Sequence, residues 1–71
     1  MEVFDVWKVR DCIVGEEITF KSYIEAFEEA ERRVMMHGQD FPYRHRGHHY
    51  AIECDMVEDK NTKTITISSK Q

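Results

Sequence analysis

Apolar residues in the first part of the chain alternate, but with a fault. Val3, Trp7, Val9 and Ile13 share one parity, while Phe4, Val6, Cys12 and Val14 share the other. β-branched and aromatic residues suit a pleated surface, so residues 2–14 are predicted as a strand. Either both of its faces are partly covered or a bulge shifts its register. Gly15-Glu16-Glu17 reads as a turn, and Ile18-Thr19-Phe20-Lys21 as a short second strand that completes a hairpin.

The period then changes. Tyr23, Phe27, Ala30 and Val34 recur at helical spacing, with Ile24 and Met35 at one margin of the stripe and Ala26 at the other. Ser22-Tyr23-Ile24-Glu25 has the form of a capping box, in which the serine hydroxyl accepts from the third helical amide. Early glutamates suit the positive end of the helix, and Arg32, Arg33 and His37 suit its negative end. Glu25, Glu28, Glu29 and Arg32 are expected in water. Met36 falls on the polar side of the wheel, which predicts an exposed apolar side chain. Gly38 is expected to stop the helix in a left-handed conformation.

An irregular loop over 39–47 contains the single proline, Pro42. Tyr50, Ile52, Cys54 and Met56 alternate with His49, Glu53 and Asp55, which predicts a third strand over 48–58. A turn at Glu58–Asn61 leads to a fourth over 63–68, with Ile65 and Ile67 inward. The predicted fold is α+β: a single domain over residues 1–71 in the order ββαββ, with a four-stranded antiparallel sheet and one helix packed on one face. The other sheet face has no helix. It would carry an apolar patch if Phe4 and Val6 point that way, and such patches mark association.

At 71 residues the chain sits near the lower limit for one hydrophobic core, burying roughly 60% of the surface its unfolded form exposes. The net charge of −4 opposes attachment to nucleic acid over the whole surface. Charge is divided unevenly, however. Residues 16–31 carry six glutamates against Lys21, and residues 32–50 carry four arginines against Asp40. The division fits a solvated helix followed by a basic loop. It also fits a bipolar surface that binds a partner or a second copy of the chain. The opening Met1-Glu2-Val3-Phe4-Asp5 does not resemble a signal peptide, and no apolar run reaches the ~18 residues of a membrane span. A cytoplasmic protein with reduced thiols is expected, with no membrane partner; Cys12 and Cys54 form no disulfide framework.

All four histidines lie between positions 37 and 49, in a segment that also holds Phe41, Tyr43, Arg44, Arg46 and Tyr50. His45, His48 and His49 lack the paired frame that fixes tetrahedral zinc, and adjacent His48 and His49 would face opposite sides of a strand. No metal and no cofactor is therefore assigned. Neither is an enzyme: there is no glycine-rich phosphate loop, and so small a domain has little room for a pocket of the usual ~300–1,000 Å3. Arg44 and Arg46 could hold phosphates while Tyr43 and Tyr50 stack on unpaired bases. Alternatively, the aromatics plug the loop onto the core. Arginine and tyrosine also anchor protein interfaces, and a row of carboxylates on a helix imitates phosphates electrostatically.

The passage Phe20-Lys21-Ser22-Tyr23-Ile24-Glu25-Ala26-Phe27-Glu28-Glu29-Ala30 resembles the strand-to-helix passage of small uncharacterised ββαββ accessory proteins of phage and bacterial genomes. The resemblance implies an accessory protein that binds and modulates host machinery, and carries over no individual residue. The first expectation is thus a non-enzymatic binding protein that contacts a protein partner through Met36, Phe41, Tyr43, Arg44, His45, Arg46, His48 and His49 together with the acidic helix face. A homodimer is compatible with it. The second is an RNA- or single-strand-binding module using residues 41–50.

Overall fold

The computed structural model describes residues 6–39 and 51–70. It is α+β, with strands β1 (Trp7–Asp11) and β2 (Glu16–Phe20), helix α1 (Tyr23–His37), and strands β3 (Cys54–Asp59) and β4 (Thr64–Ser69). The sheet order is β2-β1-β4-β3. Each hairpin is antiparallel, as its short turn requires. The two hairpins meet through β1 and β4, which run parallel, with Val9 opposite Ile65 and Asp11 opposite Ile67. The sheet is therefore mixed, and the expectation of a wholly antiparallel sheet is corrected. Parallel neighbours need a long crossover, and residues 21–53, which include the helix, supply one. The two strands with fully buried rows take the centre: Val9 and Asp11 on β1, Ile65 and Ile67 on β4.

Trp7, Val9, Ala26, Ala30, Ile65 and Ile67 form the buried core, with Phe20, Tyr23, Phe27, Val34, Cys54 and Met56 packed at its border. Ala26 and Ala30 let the helix backbone approach the sheet closely. The Trp7 and Tyr23 rings meet edge to face at 4.8 Å, a favoured aromatic geometry. The Tyr23 hydroxyl donates to Glu58 of β3. The opposite sheet face is polar: Lys8 and Arg10 both pair with Glu17, beside Thr64, Thr66 and Ser68. Val57 is an apolar exception, exposed there. Val6 is exposed and Phe4 lies outside the described residues, so no apolar patch is established on this face.

Several boundaries move. The first strand is described only over Trp7–Asp11, because the chain turns at residues 12–15 and Glu16 already belongs to β2. Gly15, at φ 76, takes the left-handed position in that turn. Residues 51–53 are not strand, and β3 begins at Cys54. The helix starts as expected: Ser22 is extended, and its hydroxyl accepts from Glu25 N at 3.2 Å. Its end differs. Gly38 is right-handed, at φ −80, and its amide reaches back to the carbonyl of Val34 at 3.1 Å. The amide of Ile52 then donates to the carbonyl of His37 at 2.6 Å, tying the approach to β3 onto the helix end.

Candidate functional site

Two regions of the helix have unusual chemistry. The first is internal. Asp11 ends β1 on the same parity as Trp7 and Val9, so its side chain points at the helix, and only 1% of it is exposed. Its Oδ2 accepts from Arg33 Nη1 at 3.0 Å and lies 2.9 Å from His37 Nε2. Its Oδ1 accepts from the turn amides of Ile13 at 3.0 Å and Val14 at 3.4 Å. One carboxylate thus closes the β1–β2 turn and fastens the last turns of the helix. His37 is itself only 3% exposed. Arg33 continues the network, with Nη1 2.8 Å from Glu16 and Nε 2.7 Å from Glu29, which also accepts from Arg32.

The electrostatics follow from these contacts. Burial drives the Asp11 carboxyl upward, but hydrogen bonds from His37 and Arg33 outweigh it and hold the group below its ordinary value of 3.8. Burial opposes the charge on Arg33, and its bonds to Glu29, Asp11 and Glu16 more than restore it. Among the described residues no buried polar side-chain atom lacks a partner. One of the expectations is corrected here: Glu29 is half-buried within this network instead of pointing to water. Arg33 and His37 stand near the helix end as expected, and their side chains also reach Asp11.

A surface cleft of about 240 Å3 lies over this network, lined by Asp11, Val14, Glu16, Glu29, Arg33, Met36 and His37. Its polar groups are already committed to one another, and it is smaller than a usual ligand pocket. Among the described residues no group of His, Cys, Asp or Glu side chains could hold a metal ion. Cys54 is a free thiol whose pKa is pushed up by burial and then by the charges of Asp11 and Asp55, which suppresses the nucleophilic thiolate. Cys12 is free and exposed.

The second region is the outer side of the helix. Ile24 and Met35 are 67% and 65% exposed. They were expected at the margin of the buried stripe. The helix is instead seated on Ala26, Ala30 and His37, which turns that margin out of the core. Ile24, Glu28, Glu31 and Met35, at i, i+4, i+7 and i+11, fall on one line along the helix, and all four are exposed. Met36 is 43% exposed, as the sequence predicted, and lines the cleft on the other flank. Of the remaining predicted contact residues, Phe41, Tyr43, Arg44, His45, Arg46, His48 and His49 lie outside the described residues, as does Tyr50. Sequence reading missed Asp11, although its signal was present: a charged residue at an inward position of an otherwise apolar row.

No helix among the described residues is long and apolar enough to cross a membrane. Comparison with known proteins found no matching family model, no matching curated protein and no matching solved structure.

Proposed function

We propose that this chain is a small non-enzymatic accessory protein, which modulates a larger macromolecular machine by docking the outer face of its helix on a protein component of that machine. The observation that carries this reading is the exposure of Ile24 and Met35 on one line of a helix whose other side is fully engaged with the sheet. Burying a side chain of this size contributes about 1.5–3 kcal/mol, so two of them can anchor a complex. Helices recognised in this way present anchors three, four and seven residues apart. On sequence grounds, the segment from Phe41 to His49 adds a contact of opposite charge, with Arg44 and Arg46 as its cations.

The buried groups support a non-enzymatic reading. Asp11 and His37, the pair that could otherwise move a proton, are enclosed and spend their hydrogen bonds on the turn and the helix. The nucleic-acid alternative depends on residues 41–50 and draws little support from the described surface. Lys8 and Arg10 on the open sheet face are both paired with Glu17, and Asp55 and Asp59 share that face.

Affinity capture from cells tests the proposal when the tagged chain is compared with its Ile24→Asp/Met35→Asp variant. A protein retained by the parent and lost by the variant is the expected result. Equal retention by both would sink the helix-face reading. An Arg44→Ala/Arg46→Ala variant measures the share of the loop separately.

A further inference from the structure

The chemistry of the outer helix face also specifies what can cover it, an inference that rests on the docking role proposed above. We infer that the partner surface is a basic protein groove with two apolar sockets about 16 Å apart and cationic side chains between them. Ile24 and Met35 are eleven residues apart, and the ~1.5 Å rise per residue sets that separation. Between them stand Glu28 and Glu31, both exposed and neither in an ion pair among the described residues. Glu29, on the inner side of the same helix, contrasts with them: its two oxygens are held by Arg32 and Arg33.

Charge selects the occupant. A groove that accepts Ile24 and Met35 must also take the water from Glu28 and Glu31, and buried carboxylates without cations are costly. The partner therefore supplies lysine or arginine at the middle of the groove. A second copy docking helix to helix would set these glutamates against their own counterparts in either orientation, and like charges at close range repel. Nucleic acid is repelled for the same reason. Met35, flexible and polarisable, suits a socket of imperfect shape, whereas Ile24 is stiff and demands a fitted one.

The test is an NMR titration of the isotope-labelled chain with three synthetic amphipathic helical peptides. One carries leucines on one face bordered by lysines. In the second the lysines are replaced by glutamates, and in the third the leucines are replaced by serines. The leucine–lysine peptide should shift the amides of Ile24, Glu28, Glu31 and Met35 and bind at least tenfold more tightly than the other two. A Glu28→Lys/Glu31→Lys variant should reverse the preference toward the leucine–glutamate peptide. If the leucine–glutamate peptide binds the parent at these residues as well as its lysine counterpart does, the docking face stands and the basic groove is wrong. If the serine–lysine peptide binds as tightly, the sockets are wrong. If no peptide perturbs this face, or every shift maps elsewhere, both the groove and the docking role fall.

Discussion

Ala30 and Met35 belong to the same helix, one residue wholly buried and the other largely in water. The inner side of α1 is closed: Ala26 and Ala30 lie against the sheet, while Arg33 and His37 are held by Asp11. The outer side carries Ile24, Glu28, Glu31 and Met35, none of which is engaged by the sheet. Both sides contain apolar residues, so hydrophobicity alone does not decide which is buried. The difference lies in what waits on the sheet. Asp11 is a buried acid that needs hydrogen-bonding partners, and Arg33 and His37 reach it because the helix is rotated away from the centre of its apolar stripe. That rotation leaves Ile24 and Met35 outside. The periodicity of a helix fixes the width of its apolar stripe, and a single buried charge can choose which part of the stripe is used.

The largest way to break this division is to remove the charge. Asp11→Ala takes the acceptor from Arg33, His37 and two turn amides, and breaking a buried ion pair from one side costs about 3–5 kcal/mol. Urea unfolding should show a midpoint lowered accordingly, with a smaller loss for Asp11→Asn, which keeps an acceptor oxygen for the turn. Acid should act on the same group. Because the folded state holds the Asp11 carboxyl below its ordinary value of 3.8, the native form binds its proton less readily than the unfolded chain does. The stability this confers is present above that value and is lost as the pH falls through the folded pKa. Stability measured between about pH 5 and pH 2 should therefore fall with acidification, and Asp11→Asn should flatten the part of the slope that belongs to this residue.

Intermediate effects sharpen the contrast between the two sides. Ala30→Leu forces extra volume into the closed side and should cost about 1–3 kcal/mol, whereas Glu28→Leu on the open side should leave the unfolding midpoint nearly unchanged. Ser22→Ala removes the helix cap, which serves both sides alike, and should cost about 1 kcal/mol. Thermal unfolding followed by circular dichroism would rank these three.

Much of the fold is legible in the sequence. The order ββαββ, the start of the helix at Ser22, the inward pair Ile65 and Ile67 and the exposure of Met36 all follow from local period and capping chemistry, and the structure carries each of them. Strand pairing is less legible. Both an antiparallel and a parallel joining of the hairpins satisfy the same alternation, and the choice depends on how the long segment 21–53 crosses the sheet. Apolar residues continue through Cys12, Ile13 and Val14, so alternation alone carries the first strand past its true end at Asp11. The turn is made there by Asp11, whose side chain captures two of those amides. A glycine beyond a helix suggests the left-handed conformation, whereas at Gly38 the backbone continues right-handed. The outer face was half legible: its acidity is plain, but the exposure of Ile24 and Met35 depends on a contact between residues 11 and 37 that no local pattern contains.

The smallest expected effect is also the most direct measure of the division. The Ile24→Asp/Met35→Asp double variant places two charges on the apolar points of the outer face. If that face is unengaged in the folded chain, urea unfolding of the variant should agree with the parent to within about 1 kcal/mol, since substitutions on an open surface change little. A loss comparable with that of Asp11→Ala would show that Ile24 and Met35 belong to the packed interior and would contradict the division on which the docking face depends.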